Sequence, residues 1–130
     1  MSSEVEVRLR RAYDEPGTTD GYRVLVDRVW PRGRSRDQLG LDEWARDLGP
    51  SDELRCWFGH DPARWTEFQA RYRDELMAPE KAAALDELAR KAASGPVTLV
   101  YGARDPDHNQ ALVLAAEIRR RLERAAAGSR

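Results

Sequence analysis

The chain has little of several residue types, and each shortage excludes a class of protein. Its 130 residues contain one cysteine, Cys56, so an intrachain disulfide is impossible and the thiol is expected to pack as a small hydrophobic side chain. No apolar run reaches the roughly 20 residues of a membrane-spanning helix, and the N-terminus has neither the basic nor the apolar region of a secretory signal. These absences predict a cytoplasmic protein that makes no membrane contact.

An excess of charge is lacking as well. The 22 basic and 23 acidic residues give a net charge of −1, so no overall field attracts nucleic acid or anionic lipid. Lys81 and Lys91 are the only lysines, and the other basic residues are arginines, whose planar guanidinium group suits carboxylate and phosphate. His60, His108 and the one cysteine do not indicate a metal centre, and no sequence motif indicates a cofactor.

The apolar pattern that is present predicts a small α/β protein, with one domain over 1–130 and frayed ends at 1–4 and 125–130. About three strands are indicated: an alternating edge strand that begins at Val5, a more apolar strand over 22–29, and a continuous apolar strand over 97–101. The long connection between the last two predicts that they run parallel, so the sheet is largely parallel.

About five helices are expected to pack on this sheet. Capping residues, prolines and apolar spacing predict helices that begin after Ser51, after Asp61 and at Pro79, and a last helix over 110–124. Asp42 is expected to cap one further short helix, which contains Trp44 and ends before Gly49.

Charged residues follow the second strand, where α/β proteins place their chemistry. Asp27 and Arg28 come near its end, and Trp30 and Arg32 follow in a turn that contains proline and glycine. A buried carboxylate needs a partner. Asp27 therefore either forms a structural ion pair with an arginine or handles a substrate, in which case Arg28 or Arg32 grips an anion bidentately.

His60 lies between the end of one predicted helix and the N-cap of the next. It is either a connector that caps backbone carbonyls or a general acid or base, since histidine titrates near neutral pH. The last strand leads through Gly102 and Arg104 into a helix N-terminus, an arrangement that favours anions. Either Asp105 or Asp107 simply caps that helix, or Asp105 orients the anion-binding arginines or acts as a base.

These segments together resemble the YeaO-like family, a branch of domain-of-unknown-function group 488. The matching stretches cover nearly the whole chain: 24–33, 50–62, Trp65 with Phe68 and Tyr72, 97–105 and 109–111. The resemblance implies family-pattern positions at Asp27, Arg28, Trp30, Arg32, Trp57, His60, Tyr101, Asp105 and Asn109. It implies no defined activity, and the Cys-His-Arg group of the other branch is replaced here by His108, Asn109 and Gln110.

The leading hypothesis is a protein that binds a small anionic ligand, phosphate- or nucleotide-like, at the carboxyl ends of strands 22–29 and 97–101. The candidate anion-binding residues are Arg28, Trp30, Arg32, Tyr101, Arg104 and Asn109, and the candidate catalytic residues, if the protein is an enzyme, are Asp27, His60 and Asp105. The alternative is a non-enzymatic module that contacts a protein or nucleic acid through the arginine-rich loop 32–36 and helix 110–124. Nucleic acid is the less expected partner, and the sequence does not define the oligomeric state.

Overall fold

A computed structural model describes residues 7–128, and its fold is α/β with a four-stranded parallel sheet in a single domain. The strands are β1 (Val7–Arg11), β2 (Tyr22–Leu25), β3 (Glu43–Trp44) and β4 (Val97–Tyr101), in the order β1-β4-β2-β3. The helices are α1 (Arg36–Leu39), α2 (Asp52–Phe58), α3 (Trp65–Glu75), α4 (Pro79–Ser94) and α5 (Gln110–Gly128), with short 3-10 turns at Arg46–Leu48 and Pro62–Arg64. The predicted fold class is confirmed, with one strand more than expected.

The additional strand, β3, replaces the first part of the short helix predicted after Asp42, and the second part is the 3-10 turn Arg46–Leu48, which ends before Gly49 as predicted. Trp44 lies opposite Leu25 in the sheet, and its indole N–H donates to the Asp27 carbonyl at 2.7 Å. Trp44 is 38% exposed and belongs to neither apolar cluster of the described residues. A two-residue strand has no periodicity to recognise, and only pairing with a neighbour in the folded chain defines it.

The two faces of the sheet are covered differently. Alternate strand residues such as Val7, Val24 and Leu99 pack against α2, α3, α4 and α5 in the main apolar core. β1 is an edge strand parallel to β4, and β4 is buried along its whole length, as its continuous apolar sequence predicts. Leu25 and Val100 form a smaller apolar cluster on the other face, with Ala12 and with Leu39 of α1.

A buried ion pair holds the second face at the start of β2. Asp20 is 1% exposed and accepts hydrogen bonds from Arg23 Nη1 at 2.5 Å, Arg10 Nε at 3.0 Å and the Gly17 N–H at 2.9 Å. Burial alone would raise the pKa of Asp20, but the Gly17 N–H and the two guanidinium groups together hold it below its ordinary value. Thr98 donates to the Asp20 carbonyl at 2.7 Å, which fixes the loop before β2 against the central strand.

The predicted caps near the site are confirmed, and the helix predicted after Asp61 begins as the 3-10 turn Pro62–Arg64 that leads into α3. Ser51 Oγ accepts the Leu54 N–H at 3.1 Å at the start of α2, and Gly59 ends α2 in the left-handed conformation. Asp61 caps the following turn through the Ala63 N–H at 3.0 Å. His60 is thereby held between two fixed helix ends.

Two expectations outside the site have different outcomes. Cys56 is exposed, so the expectation that it packs as a small hydrophobic side chain is wrong. It lies on the part of α2 that faces away from the core residues Leu54 and Phe58. The predicted frayed end 1–4 and the last two residues of 125–130 lie outside the described residues, and their fraying stays a prediction.

Candidate functional site

The carboxyl ends of β2 and β4 open onto a cleft of about 340 Å³. Its charged or titratable lining residues are Asp27, Arg28, Arg32, Arg55, His60 and His108. Its apolar wall is formed by Val29, Trp30, Pro50, Phe58, Phe68 and Ala103, and Gly102 and Gln110 complete the lining. All three segments predicted to meet at this edge of the sheet contribute to the cleft, because the carboxyl ends of neighbouring parallel strands lie side by side.

Asp27 lies just beyond β2, part-buried and close to the turn that follows β4. The Gly102 N–H donates to its Oδ2 at 2.8 Å, and the Gln110 side-chain amide, from the first turn of α5, donates to its Oδ1. A Cβ on Gly102 would lie 2.9 Å from Asp27 Oδ2, so the absence of a side chain permits this approach. Burial raises the pKa of Asp27 to about 6, against the opposing effect of the Gly102 N–H.

No arginine pairs with Asp27 within residues 7–128, so the predicted structural ion pair is not formed there. Arg28 instead donates from Nε to the Pro50 carbonyl at 2.9 Å and from Nη2 to the Gly49 carbonyl at 3.0 Å. These bonds hold one edge of the guanidinium group and leave Nη1 without a hydrogen bond to the described protein atoms. Arg28 is therefore a fixed positive charge at the cleft.

Arg32 and Arg55 add two further positive charges, and both side chains are less constrained than that of Arg28. Arg32 is exposed, and its turn is anchored through its carbonyl, which accepts the Tyr13 hydroxyl at 3.0 Å. Arg55 lies on α2 and pairs with Asp52 at 3.1 Å, an exposed contact that contributes little to stability. Both guanidinium groups can reorient toward a ligand at small cost.

His60 occupies the left-handed region with φ 59°, directly after Gly59 with φ 52°. It is the one residue other than glycine with positive φ in the described chain. Such a conformation costs a side-chain-bearing residue about 1 kcal/mol. The imidazole lines the cleft with its ring 6.1 Å from that of Phe58. A strained backbone that directs a histidine into a cleft is typical of functional positions.

His108 is one of the cleft residues that were not predicted from the sequence. Its Nδ1 lies 2.7 Å from Asp105 Oδ2, and its ring meets the edge of Trp65 at 5.4 Å. Asp105 does not line the cleft, but it orients a histidine that does. The spacing of an aspartate three residues before a histidine, just ahead of a helix, is a signal that could have indicated this pair.

Three candidate ligand residues lie away from the cleft. Tyr101 is buried in the main core, and burial raises the pKa of its hydroxyl. Arg104 is exposed and is not a lining residue. Asn109 caps α5: its Oδ1 accepts the Leu112 N–H at 3.2 Å and its Nδ2 donates to the Asp105 carbonyl at 2.9 Å. This capping is the structural role that the sequence had suggested for Asp105 or Asp107.

Trp30, the remaining candidate, forms part of the apolar wall. Its indole N–H donates to the Arg34 carbonyl at 2.7 Å, and its ring meets Trp44 edge-on at 5.2 Å. These contacts fix the indole plane at the entrance. Gln110 and Arg55 also line the cleft and were not predicted, although Gln110 opens the helix that follows the central strand.

Neither a metal-binding cluster nor a membrane-spanning helix is found among the described residues. Within 7–128 no group of three or more histidine, cysteine, aspartate or glutamate side chains is placed to hold a metal ion. In the same range no helix combines the length and the apolar character needed to cross a bilayer.

Comparison with known sequences places the chain in a family. Residues 6–130 match the family described as the inactive DUF488-N3 subclade, DUF488-N3i. The chain belongs to this family. It is similar to the uncharacterized protein YeaO of Escherichia coli K12, with 40% identity over 115 residues that cover 88% of this chain and 98% of the relative.

Mycobacterial relatives give the same picture. The uncharacterized proteins Mb3100c of Mycobacterium bovis and Rv3073c of Mycobacterium tuberculosis are 42% identical over 115 residues, which cover 88% of this chain and 95% of each relative. No solved structure matches the chain. The YeaO-like resemblance read from the sequence motifs is thus confirmed.

Proposed function

We propose that the protein binds a small anionic ligand, phosphate- or nucleotide-like, in the cleft at the carboxyl ends of β2 and β4. The observation that carries this proposal is the convergence of Arg28, Arg32 and Arg55 with His60 and His108 on one cleft. Asp27 is the only acidic lining residue among those described. The positive charges of this surface exceed the negative ones, which favours an anion despite the nearly neutral chain.

The distribution of anchored and mobile cations supports binding. Arg28 is fixed by two backbone carbonyls, so it can engage an anion with little further loss of side-chain entropy. Arg32 is exposed and free to close over a bound group. A site with one preset and one adaptable guanidinium group suits the bidentate recognition of phosphate or carboxylate.

The apolar wall indicates that the ligand has an uncharged body as well. Trp30, Phe58 and Phe68 line the same cleft, and Phe58 stacks on Phe68 with 4.3 Å between ring centroids. A volume of about 340 Å³ is within the range of small-molecule sites. Planar or apolar groups would pack on these rings while the anion meets the arginines.

Binding without turnover is the form of the proposal that we favour. The family that matches is described as an inactive subclade. Within residues 7–128 no hydrogen bond joins His60 to Asp27, whose carboxylate is instead held by Gly102 and Gln110. Proton transfer between these two groups would need a ligand or water between them.

The alternative, a surface for nucleic acid or protein, has less support from the last helix. Arg119 donates to the Val7 carbonyl at 3.0 Å, and Arg120 pairs with Glu117 at 3.3 Å. Arg121 pairs with Asp86 at 2.7 Å and with Glu117 at 3.3 Å. These arginines are already engaged within the fold, which reduces their availability to phosphates of a nucleic acid.

A thermal-unfolding screen tests the proposal. Inorganic phosphate, pyrophosphate, sugar phosphates and nucleoside phosphates are added separately, and a ligand that binds the native state raises the melting temperature by several degrees. The Arg32→Ala variant is expected to melt like the parent without ligand and to lose the ligand-induced rise. Absence of any rise across the panel contradicts the proposal.

Arg104→Ala is the matched control. Arg104 is an exposed arginine of the turn after β4, close in sequence to the site but outside the cleft lining. Its replacement removes one exposed arginine charge outside the cleft lining and is expected to leave the ligand-induced rise unchanged. An equal loss in both variants would indicate non-specific attraction to surface charge rather than binding in the cleft.

A further inference from the structure

Asp27 is the group in the cleft that the proposed function leaves unused. An anion-binding cleft gains nothing from a carboxylate of its own, because like charges repel. Yet Asp27 lines the cleft together with three arginines and is held in place by the Gly102 N–H at 2.8 Å and by Gln110. The position of the carboxylate is thus fixed by hydrogen bonds from the turn after β4 and from helix α5.

The two hydrogen bonds leave acceptor capacity on both carboxylate oxygens. Each oxygen of an ionised carboxylate has two lone-pair sites, and each oxygen of Asp27 receives one described donor. Within residues 7–128 no cation forms an ion pair with Asp27: Arg28 is turned to the Gly49 and Pro50 carbonyls, Arg55 pairs with Asp52, and Arg32 is exposed and pairs with no carboxylate. The remaining lone pairs are open to a donor from outside the chain.

We propose that the anion bound in this cleft also carries a protonated nitrogen, and that Asp27 receives it. The ligand is then a compact zwitterion: its anionic group meets the arginines, its apolar body packs on Trp30, Phe58 and Phe68, and its ammonium or amidinium N–H groups donate to Asp27. This inference rests on the proposed function and assigns the chemical class of its ligand.

Part-burial strengthens the argument. A carboxylate partly withdrawn from water without a cation is costly in its charged form, and the pKa of Asp27 is raised to about 6 accordingly. A ligand ammonium group removes that cost when it binds. Asp20, at the other end of β2, forms ion pairs with Arg23 and Arg10 of the same chain. The chain thus provides arginine partners for a buried aspartate whose role is structural.

Matched ligand pairs test the inference. We would measure the affinity of para-(aminomethyl)phenyl phosphate against para-methylphenyl phosphate, and of para-(aminomethyl)benzoate against para-methylbenzoate, by calorimetry at pH 8. The members of each pair share the anion and the ring and differ in the ammonium group. We expect the ammonium-bearing member to bind at least about tenfold more tightly, since charged hydrogen bonds contribute that much. The two series distinguish phosphate from carboxylate as the preferred anion.

Two variants assign the preference to a residue. In Asp27→Asn the tenfold preference is expected to fall to about one, while the affinity for the methyl compounds stays the same or increases because a repelling charge is gone. In Arg32→Ala both members of a pair are expected to weaken by a similar factor, so that their ratio is preserved. Thermal unfolding of each variant verifies that the fold is retained.

The ratio of the two affinities within each ligand pair, measured over a series of pH values, also reports the protonation of Asp27. The titratable or charged groups around it are Arg28, Arg32, Arg55, His60, His108 and Tyr72. Effects of these groups on the anion and the ring, which both members of a pair share, cancel in the ratio. The preference is expected to decline toward pH 5 as a proton occupies Asp27.

Each outcome decides the inference. Equal binding of the two members by the parent protein, or a preference that survives Asp27→Asn, overturns it and leaves the anion site standing. Binding of none of the four compounds, together with no response to the anion panel, overturns the proposed function and this inference with it.

Discussion

The two ends of strand β2 each carry an aspartate, and their carboxyl groups lie in opposite electrostatic settings. Asp20, before the strand, is buried between Arg23 and Arg10, and its pKa is lowered despite burial. Asp27, after the strand, has hydrogen-bond donors but no cation, and its pKa is raised to about 6. The first carboxylate holds the fold together, whereas the second is maintained at a cost to stability that folding alone does not explain.

The largest expected effect on stability comes from removing the carboxylate of Asp20, whose charge is compensated by two arginines. Asp20→Ala leaves Arg23, which is 4% exposed, without its carboxylate, and breaking such a buried pair costs about 3–5 kcal/mol of the free energy of unfolding. Denaturant titration at pH 7 measures the loss. Asp20→Asn, which keeps the shape and part of the hydrogen bonding, is expected to lose less, and a loss as small as that of a surface substitution would contradict a structural role.

The next largest loss of stability is expected from replacing the glycines that lie near the two aspartates. A Cβ at Gly21 would lie 2.2 Å from the Pro96 carbonyl oxygen, with φ at 69°, so Gly21→Ala forces backbone to move and is expected to cost about 3 kcal/mol. At Gly102 the obstacle is only the Asp27 carboxylate at 2.9 Å, and about 1 kcal/mol is expected. In an Asp27→Ala background the cost at Gly102 should vanish while the cost at Gly21 remains, which chemical denaturation of the double variants can measure.

Neutralising the uncompensated charge is expected to stabilise the protein. The pKa of Asp27 is higher in the native than in the unfolded chain, so between about pH 4 and pH 6 the native state binds more protons and stability falls as pH rises. Asp27→Asn removes this loss, and Gln110 can rotate its amide to accept from the new Nδ2. We expect a gain of about 3 kcal/mol at pH 8 and a gain below about 1 kcal/mol at pH 4.

Unfolding curves of Asp27→Asn and the parent at the two pH values measure this difference. Asp20→Asn serves as the comparison, because its native pKa is lowered and its contribution to stability is present above about pH 4 and lost below it. The two variants should therefore change stability in opposite directions at pH 8. A shift of the same sign in both would remove the contrast between the strand ends.

The smallest effect is expected at His60. His60→Gly relieves the left-handed backbone at φ 59° and should raise the free energy of unfolding by about 0.5–1 kcal/mol. The same change removes an imidazole from the cleft and is expected to weaken ligand-induced stabilisation. His60→Ala keeps the strain and removes the imidazole, so equal ligand binding by the parent and both variants would show that the ring has no part in the site.

The sequence predicted the meeting of three segments because parallel strands bring their carboxyl ends together whatever their loops do. Four predicted residues follow strand or helix ends that the sequence marks clearly, and all four line the cleft: Asp27, Arg28, Arg32 and His60. Arg104 does not line it, because the conformation of the turn after β4 decides where its side chain goes, and residue types alone do not fix that turn.

Other misses have similar causes. Trp44 was assigned to a helix because its strand is two residues long and exists through pairing with Leu25. The missing cation at Asp27 was not foreseeable, since many arginines are close in sequence and only the folded chain shows Arg28 turned to the Gly49 and Pro50 carbonyls. Burial and partner choice are tertiary properties that local patterns do not carry.

The strand order also determines when the sheet can form during synthesis. β4 lies between β1 and β2, so these two strands emerge from the ribosome long before the partner that joins them. A nascent chain that ends before Val97 holds unpaired strand edges and has no central strand to unite them. Folding of the sheet, and with it assembly of the cleft, must therefore wait until translation has passed the last strand.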